Sequence, residues 1–349
     1  MIYDRVRDLP ITIEGVSLER LELSVSPDFT RVTTVVHLSG DGHDGVGEDV
    51  TYEIQDHDAL HAVGLPDMRG EWTLQSLSRM LDGTDLFPAP PVREPSRDYR
   101  RWAVESAALD LGLRQAGDPL WRVLGEDPAP VEFVISIGLG DPPDIERVLA
   151  WHRAMPDLGF KLDATASWTR EIAQTLADEV EVEVVDLKGL YENTPVDQGA
   201  DAGLYALVAE EFPHAWIEDP RLTDATRVAL AGAESRITWD APIHSVDDIT
   251  GAPVVPRTIN IKPSRCGSVE RLFACYDHVR AHDMGAYGGG QYELGPGRGH
   301  IQYLASLFHP DAPNDTAPVQ YHRPPEPGRP TSPLTPTPSA TGFRWESGV

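Results

Sequence analysis

The pattern of apolar and polar residues changes its period near Pro130. Before that point, ITIEGVSLERLELSV and RVTTVVHLSG alternate apolar with polar residues on either side of the turn SPDF. This alternation is typical of half-buried strands and predicts an antiparallel hairpin. The stretch from Tyr99 to Leu113 has helical spacing instead, and it predicts a long helix after the Pro-rich joint FPAPPVREPS. The segment GDGHDGVGED is rich in glycine and aspartate and predicts a loop.

After Pro130 the chain repeats a strand-like apolar run, a loop and a helix-like segment about every 20 to 30 residues. Seven such units begin at VEFVISIGLG, GFKLDA, VEVEVVDLKG, HAWIEDP, SRITWDAP, RTINIKPS and MGAYGGG, and PNDTAPVQY leaves room for a last strand. Repeated units of this kind predict a parallel α/β fold, a modified (β/α)7β barrel of the TIM type. An open doubly wound sheet is the competing fold, but ISIGLGDPP lacks its G-x-G-x-x-G fingerprint.

These changes of pattern divide the chain into four parts. We predict an α+β capping domain over residues 1–98, a linking helix and turn over 99–130, and the barrel over 131–320. A Pro-rich tail over 321–349 is expected to return to the cap. Phe343 and Trp345 are its candidate anchors.

Carboxylates recur at the predicted strand ends. Asp186, Glu218 and Asp240 each close one of three successive strands. Because parallel strands end at the same edge of a sheet, the three side chains should share a small volume, where they repel each other unless a cation is present. Oxygen ligands favour Mg²⁺ or Mn²⁺ over Zn²⁺. The sequence therefore predicts a magnesium site.

Lysines occupy the same predicted strand ends. Lys161 and Asp163 lie two residues apart on one strand, as do Asp186 and Lys188 on the next, so each pair faces one side. Lys262 ends a later strand, across the barrel. A partly desolvated lysine near a metal has a lowered pKa and can remove a proton α to a carboxylate.

The order of these residues resembles the enolase superfamily, specifically its muconate-lactonizing-enzyme subgroup. That subgroup includes muconate cycloisomerases, o-succinylbenzoate synthases and dipeptide epimerases. The similarity is carried by FKLDA, VVDLKG, WIEDP, ITWDAP and INIKPSRCG, by GVGED in the cap and by RWAVESAALDLGLRQAGDPLWRVLG in the linking helix. It implies a Mg²⁺-dependent lyase or isomerase that acts on a small-molecule carboxylate by cycloisomerisation, syn dehydration or racemisation.

The resemblance also implies roles for individual residues. The implied metal ligands are Asp186, Glu218 and Asp240. Lys262 is implied to be an acid/base catalyst, and Lys161 to orient its neighbours. Glu293 in GGGQYELGPG matches an acidic residue that assists the site. The cap loops around residues 26–31 and 42–48 would enclose the substrate.

Two positions depart from the family's pattern. The second lysine of K-x-K is Asp163 here, and the position two after the first metal ligand, often Asn, is Lys188. Either these two side chains pair in a charge swap, or Lys188 supplies the missing second base. The turn SPDF is also short for a loop that closes over a substrate. A short loop suggests an open site, a larger substrate or a lid completed by a neighbouring subunit.

Composition and charge exclude several classes of binding partner and cellular location. The net charge of −27 argues against nucleic acid and anionic membranes, because those partners require clustered lysine and arginine. The chain has no apolar run of about 18 residues and no apolar leader, which predicts neither a membrane span nor secretion. Cys266 and Cys275 match neither a zinc site nor a disulfide framework, so reduced thiols and a cytoplasmic location are expected. A homo-oligomer is compatible with these features.

Two other functions are compatible with the same residues. A barrel that keeps the metal site but has lost turnover, serving as a binding protein, is favoured by Asp163 in place of lysine. An unrelated metal-dependent aldolase or hydrolase on the same barrel is the other, although no G-x-S-x-G elbow occurs. His214 and His244 are the histidines closest to predicted strand ends.

Overall fold

A computed structural model describes residues 1–26, 29–192, 194, 196–322, 325, 329 and 331–346. Its strands, in chain order, are β1 (Pro10–Ile13), β2 (Gly15–Ser26), β3 (Phe29–Gly40), β4 (His43–Asp49), β5 (Gly70–Thr73), β6 (Val134–Gly138), β7 (Gly159–Asp163), β8 (Val182–Asp186), β9 (Trp216–Glu218), β10 (Ile237–Thr238), β11 (Thr258–Ile261) and β12 (Gly285–Gly288). Its helices are α1 (Ile54–Val63), α2 (Leu74–Asp82), α3 (Ser96–Ala116), α4 (Leu120–Leu124), α5 (Glu146–Ala154), α6 (Arg170–Glu179), α7 (Ala202–Glu211), α8 (Asp224–Ala229), α9 (Val246–Thr250), α10 (Pro263–Cys266), α11 (Val269–Ala281) and α12 (Pro296–Phe308). None of the described helices is long and apolar enough to cross a membrane.

The N-terminal part of the chain forms antiparallel sheets. Strand β2 pairs with β3, β3 pairs with β4, and β1 pairs separately with β5. The predicted hairpin is therefore confirmed. Part of its turn, and so part of the cap loop predicted around residues 26–31, lies outside the described residues.

The prediction of a loop for GDGHDGVGED is wrong, because most of this segment is strand β4. Its glycines serve close packing against α3. A Cβ atom on Gly45 would collide with the Ala107 carbonyl oxygen, and one on Gly47 with that of Ala103. Glycine permits this approach of strand to helix. Residues 43–48 are therefore a strand held against α3 rather than a loop over a substrate.

Helix α3 links the cap to the barrel. It covers the predicted helix and extends it at both ends, and Gly117 ends it with a left-handed φ of 76°. Most of its residues are buried, because it contacts β4 of the cap and α10 of the barrel. The long amphipathic pattern thus reflects a helix packed on two sides.

The barrel consists of seven parallel strands and a minimal eighth. Strands β6 to β10 form one ladder in chain order, and β11 pairs with β12. The Asn260 amide donates to the Trp239 carbonyl at 3.1 Å and joins the two ladders. Asn314 bridges to Phe133, and Asp315 bridges to Gly289, which closes the ring. The predicted fold of capping domain and (β/α)7β barrel is confirmed.

The C-terminal tail ends against α12 and α3. Phe343 is buried and stacks on His300, with ring centroids 4.3 Å apart. Trp345 stacks on Tyr303, and the Phe343 amide donates to Asp110 of α3 at 2.7 Å. Within the predicted tail, residues 323–324, 326–328, 330 and 347–349 lie outside the described residues.

Candidate metal and proton-transfer site

The three predicted carboxylates come to the same end of the barrel. Asp186 ends β8 and Glu218 ends β9, and the parallel register pairs these two residues directly. Asp240 follows β10 after one further residue. All three are fully buried. Adjacent parallel strands therefore bring the carboxylates together, as the repeated strand ends predict.

Asp219 joins this group, although the sequence analysis does not single it out. Asp186, Glu218 and Asp219 each offer an oxygen, and these atoms lie within 4.8 Å of one another. Alternation along a strand would point Asp219 away from Glu218, but its left-handed φ of 51° turns it back. Its two oxygens accept the amides of Asp240 and Ala241, each at 2.9 Å. Asp219 thus holds the backbone that carries Asp240.

Lys161 lies buried among the carboxylates. Its Nζ bonds to Glu218 Oε1 and lies 3.6 Å from Asp186 Oδ2 and 3.8 Å from Asp315 Oδ2. Burial lowers the pKa of Lys161, but these carboxylates more than offset that and hold it well above its usual value. Asp315 was not predicted, because it comes from the minimal eighth strand, which has no strand-like run.

Lys188 and Asp163, the two departures from the family's pattern, are in contact. Lys188 Nζ bonds to Asp186 Oδ2 and lies 3.2 Å from Asp163 Oδ1. The Lys188 backbone is left-handed, with φ 48°, and its amide donates to Asp186 Oδ1 at 2.9 Å. Burial lowers the pKa of Lys188, but Asp163 and Asp186 raise it well above its usual value. The Lys188 side chain is 16% exposed and that of Lys161 only 1%.

Lys262 faces the group from the other side of the barrel. Its Nζ lies 2.9 Å from Asp240 Oδ2, which also accepts the Tyr191 hydroxyl at 2.8 Å and Arg265 Nη2 at 3.5 Å. Burial raises the pKa of Asp240, but Arg265 and Lys262 more than offset it and hold that pKa well below its usual value. Asp240 Oδ1 is buried and has no hydrogen-bond partner among the described residues.

The site contains all the lysines of the chain. Lysine and arginine together number 29, and only Lys161, Lys188 and Lys262 are lysine. Every other basic position is arginine, which keeps its charge and does not act as a proton carrier. The strand-end motifs predict where these lysines lie, and the absence of lysine from the rest of the sequence is a second signal for the same site.

Negative charge at the site exceeds what the lysines neutralise. Glu218 is held by Lys161, by the Tyr287 hydroxyl and by Asn260 Nδ2 at 3.2 Å. Burial nevertheless raises the pKa of Glu218 to about 8 and, together with Asp240, that of Asp219 to about 7. An all-oxygen donor set with one buried, unpartnered carboxylate oxygen fits a hard divalent cation. The residues present are therefore compatible with the metal that the sequence predicts.

Glu293 makes polar contacts with its own loop and with α12. Its Oε1 accepts the Gln291 amide at 2.6 Å, and its Oε2 lies 3.3 Å from Arg298 Nη2. These contacts belong to the loop after β12 and to α12, so the predicted assisting role has no support from them. His214 is exposed, and His244 Nδ1 lies 3.1 Å from Asp98 of α3.

Two family matches cover most of the chain. Residues 127–323 match the C-terminal domain, and residues 4–123 the N-terminal domain, of a domain of unknown function named DUF8230. The C-terminal match alone exceeds half of the chain. The chain belongs to the DUF8230 family.

Known proteins resemble this DUF8230 chain over most of its length. The N-succinylamino acid racemase of Thermus thermophilus is 25% identical over 321 residues, covering 87% of the chain and 81% of the relative. An o-succinylbenzoate synthase of Geobacillus stearothermophilus is 24% identical over 345 residues, covering 88% and 85%. A dipeptide epimerase from Methylococcus capsulatus, solved with a Mg ion, shares the fold with a TM-score of 0.63 at 18% identity, covering 87% and 89%.

These relatives confirm the resemblance read from the strand ends. The DUF8230 chain is similar to the muconate-lactonizing-enzyme and o-succinylbenzoate-synthase-like members of the enolase superfamily. Its relatives are named as a racemase, a synthase and an epimerase, which agrees with the predicted class of isomerase or lyase.

Proposed function

We propose that this protein is a Mg²⁺-dependent enzyme that removes a proton α to the carboxylate of a small molecule. Cycloisomerisation, syn dehydration or racemisation then completes the reaction. One observation carries the proposal: the only lysines of the chain face a buried carboxylate cluster from two sides. Lysine serves proton transfer where arginine cannot.

The metal would be held by Asp186, Glu218 and Asp240. Their oxygens suit Mg²⁺ or Mn²⁺, and the dipeptide epimerase with a Mg ion supports this choice. When bound, the cation supplies electrostatic stabilisation of the ene-diolate formed on loss of the α-proton. Within the described part of the chain, Asp240 Oδ1 is the one oxygen of these three carboxylates that has no hydrogen-bond partner.

Each of the three lysines has a different proposed role. Lys262 is the proposed acid/base catalyst on one face of the substrate. Lys161 is too deeply buried and too fully paired to meet substrate, and its charge orients Glu218 and Asp186. Lys188 is the candidate for the second face, with Asp163 holding its ammonium group.

The identity of residue 188 supports a role in proton transfer. Elsewhere this chain forms buried ion pairs with arginine, as between Arg100 and Asp49 at 2.8 Å. A purely structural partner for Asp163 would not need lysine. A single base suffices for syn dehydration, whereas racemisation needs acid and base on opposite faces, so Lys188 separates the two reactions.

Deuterium exchange tests the proposal. The wild type with Mg²⁺ in D₂O is incubated with N-succinyl amino acids, dipeptides and other carboxylic acids, and loss of the α-proton signal is followed by NMR. We expect exchange, and Lys262→Ala should slow it by about 10²–10⁴-fold. Metal binding without exchange into any substrate would instead favour a binding protein.

The variant Lys188→Ala decides between one-base and two-base chemistry. If it keeps full exchange while Lys262→Ala loses it, Lys188 has no base role. If each variant loses exchange of the α-proton with only one substrate enantiomer, and the enantiomer differs between the two variants, a two-base racemisation is supported. Lys188→Arg is the matched control, because it keeps the charge beside Asp163 and removes the titratable amine.

A further inference from the structure

Tyr191 contacts residues of the candidate site from a loop of the barrel. It lies in the loop between β8 and α7, which begins at the left-handed Lys188. The Gln198 amide donates to the Lys188 carbonyl at 3.0 Å, so the two ends of this loop meet. Arg221 Nε donates to the Gly189 carbonyl at 2.6 Å and fixes the loop's base. These hydrogen bonds fix the described ends of the loop.

The Tyr191 side chain connects the two sides of the site. Its hydroxyl donates to Asp240 Oδ2 at 2.8 Å. Its ring centroid lies 5.1 Å from Lys188 Nζ and 5.8 Å from Arg265 Cζ. A residue that leaves from β8 thus reaches the carboxylate that follows β10.

The hydroxyl of Tyr191 fixes which oxygen of Asp240 stays open. Oδ2 is occupied by Lys262, Tyr191 and Arg265, whereas Oδ1 has no partner among the described residues. A carboxylate anchored through one oxygen presents the other in a single direction. Donors that orient metal ligands in this way commonly change metal affinity by about 10–100-fold when removed.

A second tyrosine, Tyr287, also donates a hydrogen bond to a carboxylate of the site, but it does so from the barrel core. Tyr287 donates to Glu218 Oε2 from inside the barrel, where its ring is fully buried on β12. Tyr191 is only half-buried and is carried by a loop. Its bond to Asp240 therefore depends on the loop's position, whereas that of Tyr287 depends on the barrel core.

We infer that Tyr191 is a positioning residue that orients Asp240 for the cation and couples the start of its loop, residues 188–192, to metal binding. The inference rests on the proposed function, because it assumes that Asp240 is a ligand. It also implies that the loop after β8, which carries Tyr191, shields part of the site from solvent. The short turn SPDF predicts instead an open site, a larger substrate or a lid completed by a neighbouring subunit.

Tyr191→Phe tests the inference, since it removes the hydroxyl and keeps the ring. Mn²⁺ alone is titrated into the protein and followed by electron paramagnetic resonance. We expect about tenfold weaker binding. Labelling with ¹³C-lysine gives signals from only three side chains, and those of Lys188 and Lys262 should shift.

Tyr303→Phe is the matched control. The Tyr303 hydroxyl, on α12, accepts the Trp121 amide of α4 at 3.3 Å. This variant should leave both Mn²⁺ affinity and the lysine signals unchanged. Tyr191→Leu, which also removes the ring, should weaken Mn²⁺ binding at least as much as Tyr191→Phe and shift the Lys188 signal further.

The outcomes separate this inference from the proposed function. Wild-type affinity and unchanged lysine signals in Tyr191→Phe would overturn the inference alone. A wild-type protein with no Mn²⁺ affinity would overturn the proposed function and the inference with it. Weakened binding in Tyr191→Phe but not in Tyr303→Phe supports both.

Discussion

Buried carboxylates occur in two settings in this protein. The first setting is the seam between cap and barrel, where both oxygens of Glu48, Asp49 and Asp110 have hydrogen-bond partners. Glu48 accepts the backbone amides of residues 294, 295 and 297. Asp49 accepts hydrogen bonds from Thr51 and Arg100. At the strand ends, Asp186, Glu218 and Asp219 crowd one another, and one oxygen of Asp240 has no partner among the described residues.

The contrast separates a structural charge from a functional one. A carboxylate whose lone pairs are all used by the protein has offset its desolvation and holds two segments together. A carboxylate that is buried against like charge is costly in the empty protein, and a cation relieves that cost. Removing the first kind should therefore cost stability, and removing the second should cost metal binding.

The largest effect is expected at the seam, from Asp49→Asn. Asp49 pairs with the fully buried Arg100 at 2.8 Å. Burial raises the pKa of Asp49, but Arg100 more than offsets it, so the carboxylate is charged and needed. Leaving Arg100 without its partner should lower the free energy of unfolding by about 3–5 kcal/mol, measured by urea denaturation.

The control for that variant is the same kind of pair at the surface. Asp67 lies 2.8 Å from Arg69, and both are exposed. Asp67→Asn should give no measurable change, because water screens an exposed ion pair. Equal losses in both variants would mean that burial of the Asp49 pair does not matter.

At the strand ends we expect the opposite result from Glu218→Gln. Because burial raises the pKa of Glu218 to about 8, glutamine resembles the protonated carboxyl of the metal-free protein but lacks the charge that a cation needs. The Mn²⁺ affinity, measured by calorimetry, should fall by about 10–100-fold or more. The metal-free protein should unfold at the same or a higher urea concentration.

Asp110→Asn is the matched seam variant for this test. Asp110 accepts the amides of Val46 and Phe343, at 3.0 and 2.7 Å. It should lose stability and keep Mn²⁺ affinity. A Glu218→Gln protein that loses stability like Asp110→Asn while binding Mn²⁺ normally would remove the distinction between the two settings.

The sequence predicts the position of the site better than its details. Asp186 and Glu218 could be placed because each ends an apolar run in a repeating unit, and parallel strands end together. Asp219 could not, because a left-handed backbone angle turns it into the site. Asp315 could not, because its strand is reduced to single bridges that have no apolar run.

The cap shows the same limit for glycine. In GDGHDGVGED, glycine density predicts a loop, yet it permits the contact of β4 with α3. A single sequence does not distinguish a glycine that turns the chain from one that admits a neighbouring backbone. Tyr191 was missed for a related reason, since a loop residue has no periodicity to reveal what it faces.

His300 is an exception at the seam that sharpens the comparison. It is fully buried on α12, and neither ring nitrogen has a hydrogen-bond partner among the described residues. Burial, with Arg344 nearby, lowers its pKa from 6.5 to about 3. By contrast His309, whose pKa burial lowers to about 4, contacts Tyr276 and Asn314 at 3.1 and 2.7 Å. An unpartnered polar group need not be functional if it is neutral and stacked on Phe343.

The smallest effect is therefore expected from His300→Leu. The unfolded chain takes up a proton below pH 6.5, whereas the folded chain resists it until about pH 3. This histidine should thus cost the wild type about 2 kcal/mol of stability at pH 5 relative to pH 7. His300→Leu should match or exceed wild-type stability at pH 7 in urea denaturation and lose less at pH 5.

His309→Leu should instead be destabilised at pH 7, because Tyr276 and Asn314 lose their partner. If His300→Leu changed Mn²⁺ affinity, unpartnered burial at the seam would carry function after all.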